Sequence, residues 1–500
     1  MYLKDTSGAE AVTKERRKTM SQKKQPNIIL IMTDQLRGDC LGCMGHPDVK
    51  TPFLDTLASR GTLFDRAYSA CPTCIPARAA IHTGMSQSGH KRVGYADGVD
   101  WNYDYTLAGE LTKAGYYTQC IGKMHVHPLR NLIGFNHVEL HDGYLHYYRY
   151  SSTPYYEAQK VADDYMYWLK HEKGIEADVI DTGMECNSWV ARPWIYDERT
   201  HPTNWVTSRS IDFLRRRDRS KPFFLMASYL RPHPPFDAPK YYFDMYNAMN
   251  LRPPAVGDWA DGAALDRLGH IFDSCTGPKD PELIRQAMVG YYACITHLDH
   301  QIGRLIQALV DDECYEDTMI VFTSDHGEML CDHHLFRKAL PYEGSSHIPM
   351  IVSGKWTGSS GQVCHSIVEL RDIMPTLLDI AGAPIPHTVD GKSMMPLVEN
   401  PKKKLRDALH GEHSYGEKSN HWIVTEKDKY IWFSQTGTEQ YFDLVSDPRE
   451  EKNRIHDPAA ARRMNQLRQT LVAALRGREE GYSDGKQLIV GCTPKTILGQ

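Results

Sequence analysis

No apolar run in this 500-residue chain approaches the roughly 18 residues needed to cross a bilayer, so a membrane partner is not expected. Cysteine is sparse at 12 residues, which excludes a disulfide-built scaffold in a chain of this length. Positive charge is not in excess either. The formal net charge of −5 leaves no basic footprint for nucleic acid. Internal repeats and low-complexity stretches are missing, which removes solenoid and fibrous architectures. Residues 1–25 are polar and charged and lack the apolar stretch of a secretory signal, so the expectation is an N-terminal tail and a cytoplasmic location. What remains is ordinary globular composition, 41% hydrophobic and 24% charged, with room for one large α/β domain and a smaller one.

Short apolar runs stand at residues 27–33 (NIILIMT), 117–121 (YTQCI), 223–228 (FFLMAS), 319–323 (MIVFT) and 350–353 (MIVS). They are apolar without alternation, as parallel strands buried on both faces are. Helical patterns such as 51–60 and 105–114 lie between them. The alternation predicts an α/β fold: a large mixed, mostly parallel sheet sandwiched by helices. After residue 386 the pieces shorten. Strand-like runs at 421–425, 430–434 and 440–444, then a helical pattern around 459–476, predict a smaller antiparallel sheet with a covering helix. The expected division is a tail (1–25), a catalytic domain (26–386), a C-terminal subdomain (387–484) and a C-terminal tail (485–500). That last tail carries Leu488, Ile489, Val490, Ile497 and Leu498, too apolar for a free end. It is expected to dock on its own domain or on a second copy in a homo-oligomer.

Four of the apolar runs lead at once into polar residues of catalytic type. They are Asp34-Gln35, Lys123 with His125, Arg231 with His233, and Asp325-His326. Open α/β sheets bind ligands beyond the carboxyl ends of their strands, so the four coincidences point to one site. Asp34, Gln35, Asp325 and His326 offer oxygen and nitrogen ligands for one divalent cation. Carboxylates with a carbonyl suit Ca²⁺ or Mg²⁺, and the imidazole leaves Mn²⁺ open.

Two cysteine pairs, Cys40 with Cys43 and Cys71 with Cys74, have C-x-x-C spacing, which can build a zinc site. Here the stretch between them is long and carries Phe53, Leu54, Leu57 and Leu63 in a helix-like pattern, which makes zinc the lesser alternative. Cys74 instead opens the segment CIPARAAIHTG. Pro76 suits the first turn of a helix, residues 77–82 continue it, and Gly84 suits its end. Cys74 then stands at a helix N-terminus, where unpaired N–H groups and the dipole favour negative charge. Arg78 lies one turn further on. A buried cysteine ahead of an ordinary helix would give the same local pattern.

The C-x-P-x-R of Cys74 to Arg78, followed by Thr83-Gly84, resembles the signature of the formylglycine-dependent sulfatases, a branch of the alkaline-phosphatase-like superfamily. The resemblance runs from about residue 26 to 453. It takes in PNIILIMTDQ and SDHG at the metal positions, Gly122-Lys123-Met124-His125, Pro232-His233, and Lys338 ahead of Tyr342-Glu343. It also takes in Asp390-Gly391 and YFDLVSDP with Asn453. It implies a hydrolase of sulfate monoesters, whether of a sulfated sugar, a glycan or an aryl alcohol. It implies that a separate maturation enzyme oxidises Cys74 to formylglycine, whose hydrate attacks sulfur with one hydroxyl and expels sulfate through the other. Asp34, Gln35, Asp325, His326 and the modified Cys74 would hold one divalent cation, Ca²⁺ first and Mg²⁺ or Mn²⁺ after it. Arg78 would support the nucleophile, Lys123 and Lys338 would bind sulfate, His125 would hydrogen-bond the nucleophile, and His233 would be the general acid at the ester oxygen. Many members carry a second acid in place of Gln35 and an asparagine in place of His326, which bears on the metal's identity.

Two other functions fit parts of this pattern. One is phosphonate monoester or phosphodiester hydrolysis by relatives with Asp-Gln at the first metal position. The other is a non-catalytic anion binder, against which Cys74, Arg78, Lys123 and Lys338 speak together. The aromatic-rich stretch 143–168 is expected either to form a platform for sugar or aryl rings or to pack against protein. His127, His333, His334 and His347 are expected to be structural.

Overall fold

In strand Asn27–Asp34 successive side chains leave on opposite faces, and those after Asn27 are buried. Ile28, Leu30 and Met32 enter one apolar core, Ile29 and Ile31 another. Such a strand belongs in the middle of a sheet covered on both sides. The computed structural model, which describes residues 25–143, 162–175, 184, 186–262, 275–277, 280–355 and 361–500, places it there. Phe223–Pro232 and Thr318–Ser324 flank it, both parallel. Beyond Phe223–Pro232 come Tyr117–Gly122 and His137–Leu140; beyond Thr318–Ser324 come Met350–Ser353, Gly61–Phe64 and Gln362–Cys364, completing eight strands. Met350–Ser353 runs antiparallel to both its neighbours, which corrects the expectation of a parallel strand. An apolar run reports burial on two faces and is silent about direction.

One face is covered by Pro52–Ser59, Pro202–Arg216, Lys240–Asn247 and the 31-residue helix Pro281–Asp311. That long helix starts where it should: Pro281 occupies the first turn and Asp280 accepts a hydrogen bond from the Glu282 N–H. The other face is covered by Cys74–Thr83, Leu107–Lys113 and Ile373–Ala381. Met394, Leu397 and Val398, past residue 386, still pack into this second core.

Strands Leu409–His413, Asn420–Val424, Asp428–Phe433 and Glu439–Asp443 form an antiparallel meander. Ile423, Tyr430 and Trp432 face helix Ala461–Ala474, while Trp422, Val424 and Ile431 pack on Tyr68, Met329 and Tyr342 of the larger unit. The small sheet is thus wedged between its helix and the large domain. Segment 485–500 returns across the surface of its own chain, where Ile497 bridges to Arg92 and Leu498 is buried. No helix among the described residues is long and apolar enough to cross a membrane.

Candidate active site

The polar residues at the strand ends converge. Asp34 ends the central strand, and Asp325 and His326 follow Ser324 on its neighbour. Lys123 follows strand Tyr117–Gly122, and His233 follows Phe223–Pro232. Gly122 is required at its position: its φ is +103° and a Cβ there would collide with the Ser228 carbonyl, which accepts from the Lys123 N–H at 3.0 Å. Helix Cys74–Thr83 ends at Gly84 in the left-handed region, as its sequence predicts. At its start Thr73 does not cap it; Thr73 Oγ1 lies 2.9 Å from His413 Nε2 instead.

Cys74 Sγ lies 3.3 Å from His326 Nε2, 3.7 Å from Lys123 Nζ and 3.9 Å from Asp34 Oδ1. Lys123 Nζ is 2.6 Å from Asp34 Oδ2. Beneath them Arg78 is fully enclosed. It donates to Asp325 Oδ2 at 3.1 Å, Asp34 Oδ2 at 3.4 Å, the Lys123 carbonyl at 2.7 Å and Ser228 Oγ at 3.1 Å. Burial and Asp34 push the Cys74 thiol up, but Lys123, Lys338 and His326 outweigh them and hold it well below its usual range. Burial likewise opposes ionisation of Asp34, yet Lys123 first, with His326 and Lys338, keeps it ionised. Asp325 goes the other way: burial, with Asp34 beside it, raises it. Two buried carboxylates of this kind are what a divalent cation would satisfy.

The donor set fits such an ion. Asp34, Cys74, Asp325 and His326 each offer a ligand atom within 4.8 Å of the others, all buried. His326 Nδ1 is held by the Gly327 carbonyl at 3.0 Å, which fixes the tautomer and turns the lone pair of Nε2 toward the cluster. Gln35 also belongs to the site: its Oε1 accepts from Lys338 Nζ at 2.6 Å and its Nε2 donates to buried Glu328. A second group, His410, Glu412 and His421, also converges among the described residues. There Arg478 grips both Glu412 oxygens at 2.9 Å, and the two imidazoles stack with 12° between their planes. The Glu412 carboxylate thus already has its cation, and Arg478 with Glu412 is a structural ion pair. Neither group joins Cys40, Cys43 and Cys71 to Cys74, so the zinc alternative has no geometric support among the described residues.

Above the cluster opens a cavity of about 450 Å³ lined by Cys74, Lys123, His125, His233 and Lys338, with Tyr95, Asp97, Tyr415 and Thr496 around it. His125 is partly buried, with Nε2 3.4 Å from Asp97 Oδ1 and 3.5 Å from Tyr95 Oη. Burial disfavours its charged form, but Asp97 and the Cys74 sulfur raise it above its usual value. His233 is held neutral: burial first, then Lys338 and Lys123, outweigh Asp34. Its Nδ1 is tied to the Pro234 carbonyl at 2.8 Å.

The structure thus brings together the ten residues given a site role from sequence: Asp34, Gln35, Cys74, Arg78, Lys123, His125, His233, Asp325, His326 and Lys338. It adds some that sequence reasoning missed. Glu328 fixes Gln35, Asp97 faces His125, Ser228 holds Arg78, and His413 sits behind Thr73. Glu328 had a local signal, an acid three residues after Asp325; the others had none. Arg231 is not free to act, because Asp237 takes both ends of its guanidinium at 2.6 Å. His333 packs on Trp259 with the ring planes 39° apart, and His347 Nε2 donates to the Asp65 carbonyl at 3.0 Å; neither lines the cavity. Most of the aromatic stretch 143–168 lies outside the described residues. Of the part described, Tyr165 is buried in the core and donates to the Thr200 carbonyl at 2.8 Å, which is packing.

Comparison with known proteins agrees with this arrangement. The sulfatase family profile matches residues 26–383, and that of the N-sulphoglucosamine sulphohydrolase C-terminal region matches 331–477. The chain is 51% identical over 476 residues to an arylsulfatase of Clostridium perfringens, covering 95% of this chain and 99% of that one. It is 29% identical to a multifunctional alkaline phosphatase superfamily protein of Trinickia caryophylli, over 87% of this chain and 92% of the relative. Among solved structures, a phosphonate monoester hydrolase of Agrobacterium radiobacter superposes with a TM-score of 0.74 at 26% identity, covering 90% and 95% of the two chains.

Proposed function

From the premise that the chain belongs to the sulfatase family and is a sulfuric-ester hydrolase, we propose that it cleaves sulfate monoesters of aryl or sugar alcohols through a formylglycine formed at Cys74. The observation that carries this is the placement of Cys74 Sγ at a helix N-terminus, within 4 Å of Lys123, His326 and Asp34, at the floor of an open cavity. Hydrated formylglycine supplies one hydroxyl that attacks sulfur and a second whose deprotonation releases sulfate and regenerates the aldehyde. A divalent cation, Ca²⁺ first, would be held by Asp34, Gln35, Asp325, His326 and the modified residue 74, and would supply positive charge to the sulfate oxygens. Cys74 is only 2% exposed, so the maturation enzyme has to read this segment before the domain closes.

The chain's own residues do the rest. Lys123 and Lys338 hold the sulfate, and fixed cations in a partly dry site favour the charge that builds on its non-bridging oxygens. Arg78 has no freedom left and keeps the nucleophile's helix aligned with Asp34 and Asp325. His125, steadied by Asp97, hydrogen-bonds the nucleophile. His233 presents Nε2, its Nδ1 being occupied, and protonates the leaving oxygen. Its neutral resting state is offset when an anionic ester arrives beside it, because a nearby negative charge raises an imidazole's proton affinity.

Phosphonate monoester hydrolysis is the second reading, favoured by Gln35 beside Asp34 and by the likeness to the Agrobacterium radiobacter enzyme. The test compares kcat/KM for an aryl sulfate, a sulfated monosaccharide and an aryl phosphonate monoester, on protein whose Cys74 conversion is verified by peptide mass spectrometry. The proposal requires a sulfate ester to be the best substrate. A phosphonate monoester turned over faster than both sulfates would establish the second reading in its place.

A further inference from the structure

Segment 485–500 ends as a strap, not as a loose tail. The Val93 N–H donates to the Thr496 carbonyl at 3.0 Å and the Leu498 N–H to the Lys91 carbonyl at 2.8 Å, closing an antiparallel bridge between Arg92 and Ile497. On their other edge residues 93–94 pair with Ser414, just past the first strand of the small sheet, where the Ser414 N–H donates to the Val93 carbonyl at 2.7 Å. The strap is fastened further back as well. Gln435 donates to the Cys492 carbonyl at 2.8 Å, and Glu479 takes Lys495 Nζ at 3.0 Å and the Gly499 N–H at 2.8 Å. Little slack is left: a Cβ on Gly94 would come within 3.0 Å of Thr496 Cγ2 and 2.9 Å of the Ser414 carbonyl.

Two links tie the strap to the reaction. Thr496 itself lines the cavity above Cys74, together with Tyr95 and Tyr415. Residues 91–94, which it clamps, run directly into Tyr95 and Asp97, the two groups facing His125 Nε2. We propose that the C-terminal strap is a specificity-determining part of the active site. Thr496 bounds the mouth of the cavity on the side of the ester's alcohol, and the pairing of residues 496–498 with 91–93 holds the Tyr95–Asp97 turn against His125. This rests on the reading of the cavity as the ester site.

The test uses two full-length variants with verified formylglycine and equal metal content. Thr496→Trp narrows the mouth; Leu498→Asp unseats the strap by placing a charge at a buried position. The readouts are kcat/KM for nitrophenyl sulfate and for the bulkier naphthyl sulfate, and hydrogen exchange at Val93. Thr496→Trp is expected to lower the naphthyl-to-nitrophenyl ratio by about tenfold or more, the scale at which a pocket senses added bulk. Leu498→Asp is expected to raise that ratio and to speed exchange at Val93 while Ile29 in the central strand stays protected. Ratios within twofold of the parent in both variants, or unchanged exchange at Val93 in Leu498→Asp, would overturn the proposal. Failure of every sulfate ester in the parent protein would sink the ester reading instead, and the exchange result would still decide whether the strap clamps residues 91–93.

Discussion

His82 sits on the nucleophile's helix, one turn beyond Arg78, and its environment sets up a pH test. Both ring nitrogens are buried without a hydrogen-bond partner, and the ring meets Trp101 and Phe135 edge-on. Burial, helped by Arg78, pushes its pKa from the usual 6.5 down to about 3. As pH falls through 6.5 the unfolded chain takes up a proton at this ring and the folded chain does not. The stability associated with the neutral ring is therefore complete above about pH 6.5 and erodes continuously toward pH 3. One proton corresponds to about 1.4 kcal/mol per pH unit, which gives about 2 kcal/mol between pH 7 and pH 5 once the titration curve is integrated. Replacing the ring by His82→Leu removes that slope. Whatever the leucine gains or loses in packing is the same at both pH values and cancels in the difference, as do the other buried histidines. Urea unfolding of parent and variant at pH 7 and pH 5, with matched metal content, should show the variant's relative stability rising by about 2 kcal/mol at the lower pH. An equal difference at both values would mean that His82 is charged or hydrated in the folded protein, and the account of its burial would be wrong.

Three further outcomes follow from the site and its supports. His233→Ala should cost poor alcohol leaving groups about 10²–10⁴-fold while sparing activated phenols, as general acids do; equal losses on both would leave His233 only a positioning role. Gln35→Glu sets a carboxylate against buried Glu328 and should destabilise the fold by several kcal/mol. Adding Glu328→Gln should recover much of that loss in a double-mutant cycle read by thermal unfolding, and additive losses would refute the pairing. Arg478→Met strips the partner from buried Glu412, with an expected cost of about 3–5 kcal/mol. Glu412→Gln on top should regain part of it, and a fully stable Arg478→Met protein would contradict the ion-pair reading of that cluster.

The five apolar runs were legible as strands because each is buried on both faces, and the polar residues at their ends were legible as a site because α/β sheets bind there. What escaped was short, polar or assembled at long range. Gly61–Phe64, His137–Leu140 and Gln362–Cys364 are three- or four-residue strands, too brief for a periodic signal. Leu409–His413 reads as Leu-His-Gly-Glu-His; it forms a strand against Asn420–Val424, with Glu412 meeting Arg478 and His413 meeting Thr73, partners far away in the chain. At the site, the ligand-type residues carried their own motifs. The residues that hold them did not: Asp97 and Ser228 sit in unremarkable contexts, and Thr496 reaches the cavity only because the strap folds back across residues 91–93. Support of this kind is a tertiary property that no local pattern records.

The central claim is that Cys74, converted to formylglycine, is the nucleophile of a sulfate-ester hydrolase. Sulfate release from an aryl sulfate, measured beside peptide mass spectrometry of the same preparations, tests it most directly. The account predicts the aldehyde at Cys74 and none at Cys71, release in proportion to the converted fraction, and loss of turnover in Cys74→Ala. Full turnover by Cys74→Ala, or an aldehyde at Cys71 instead, would contradict it.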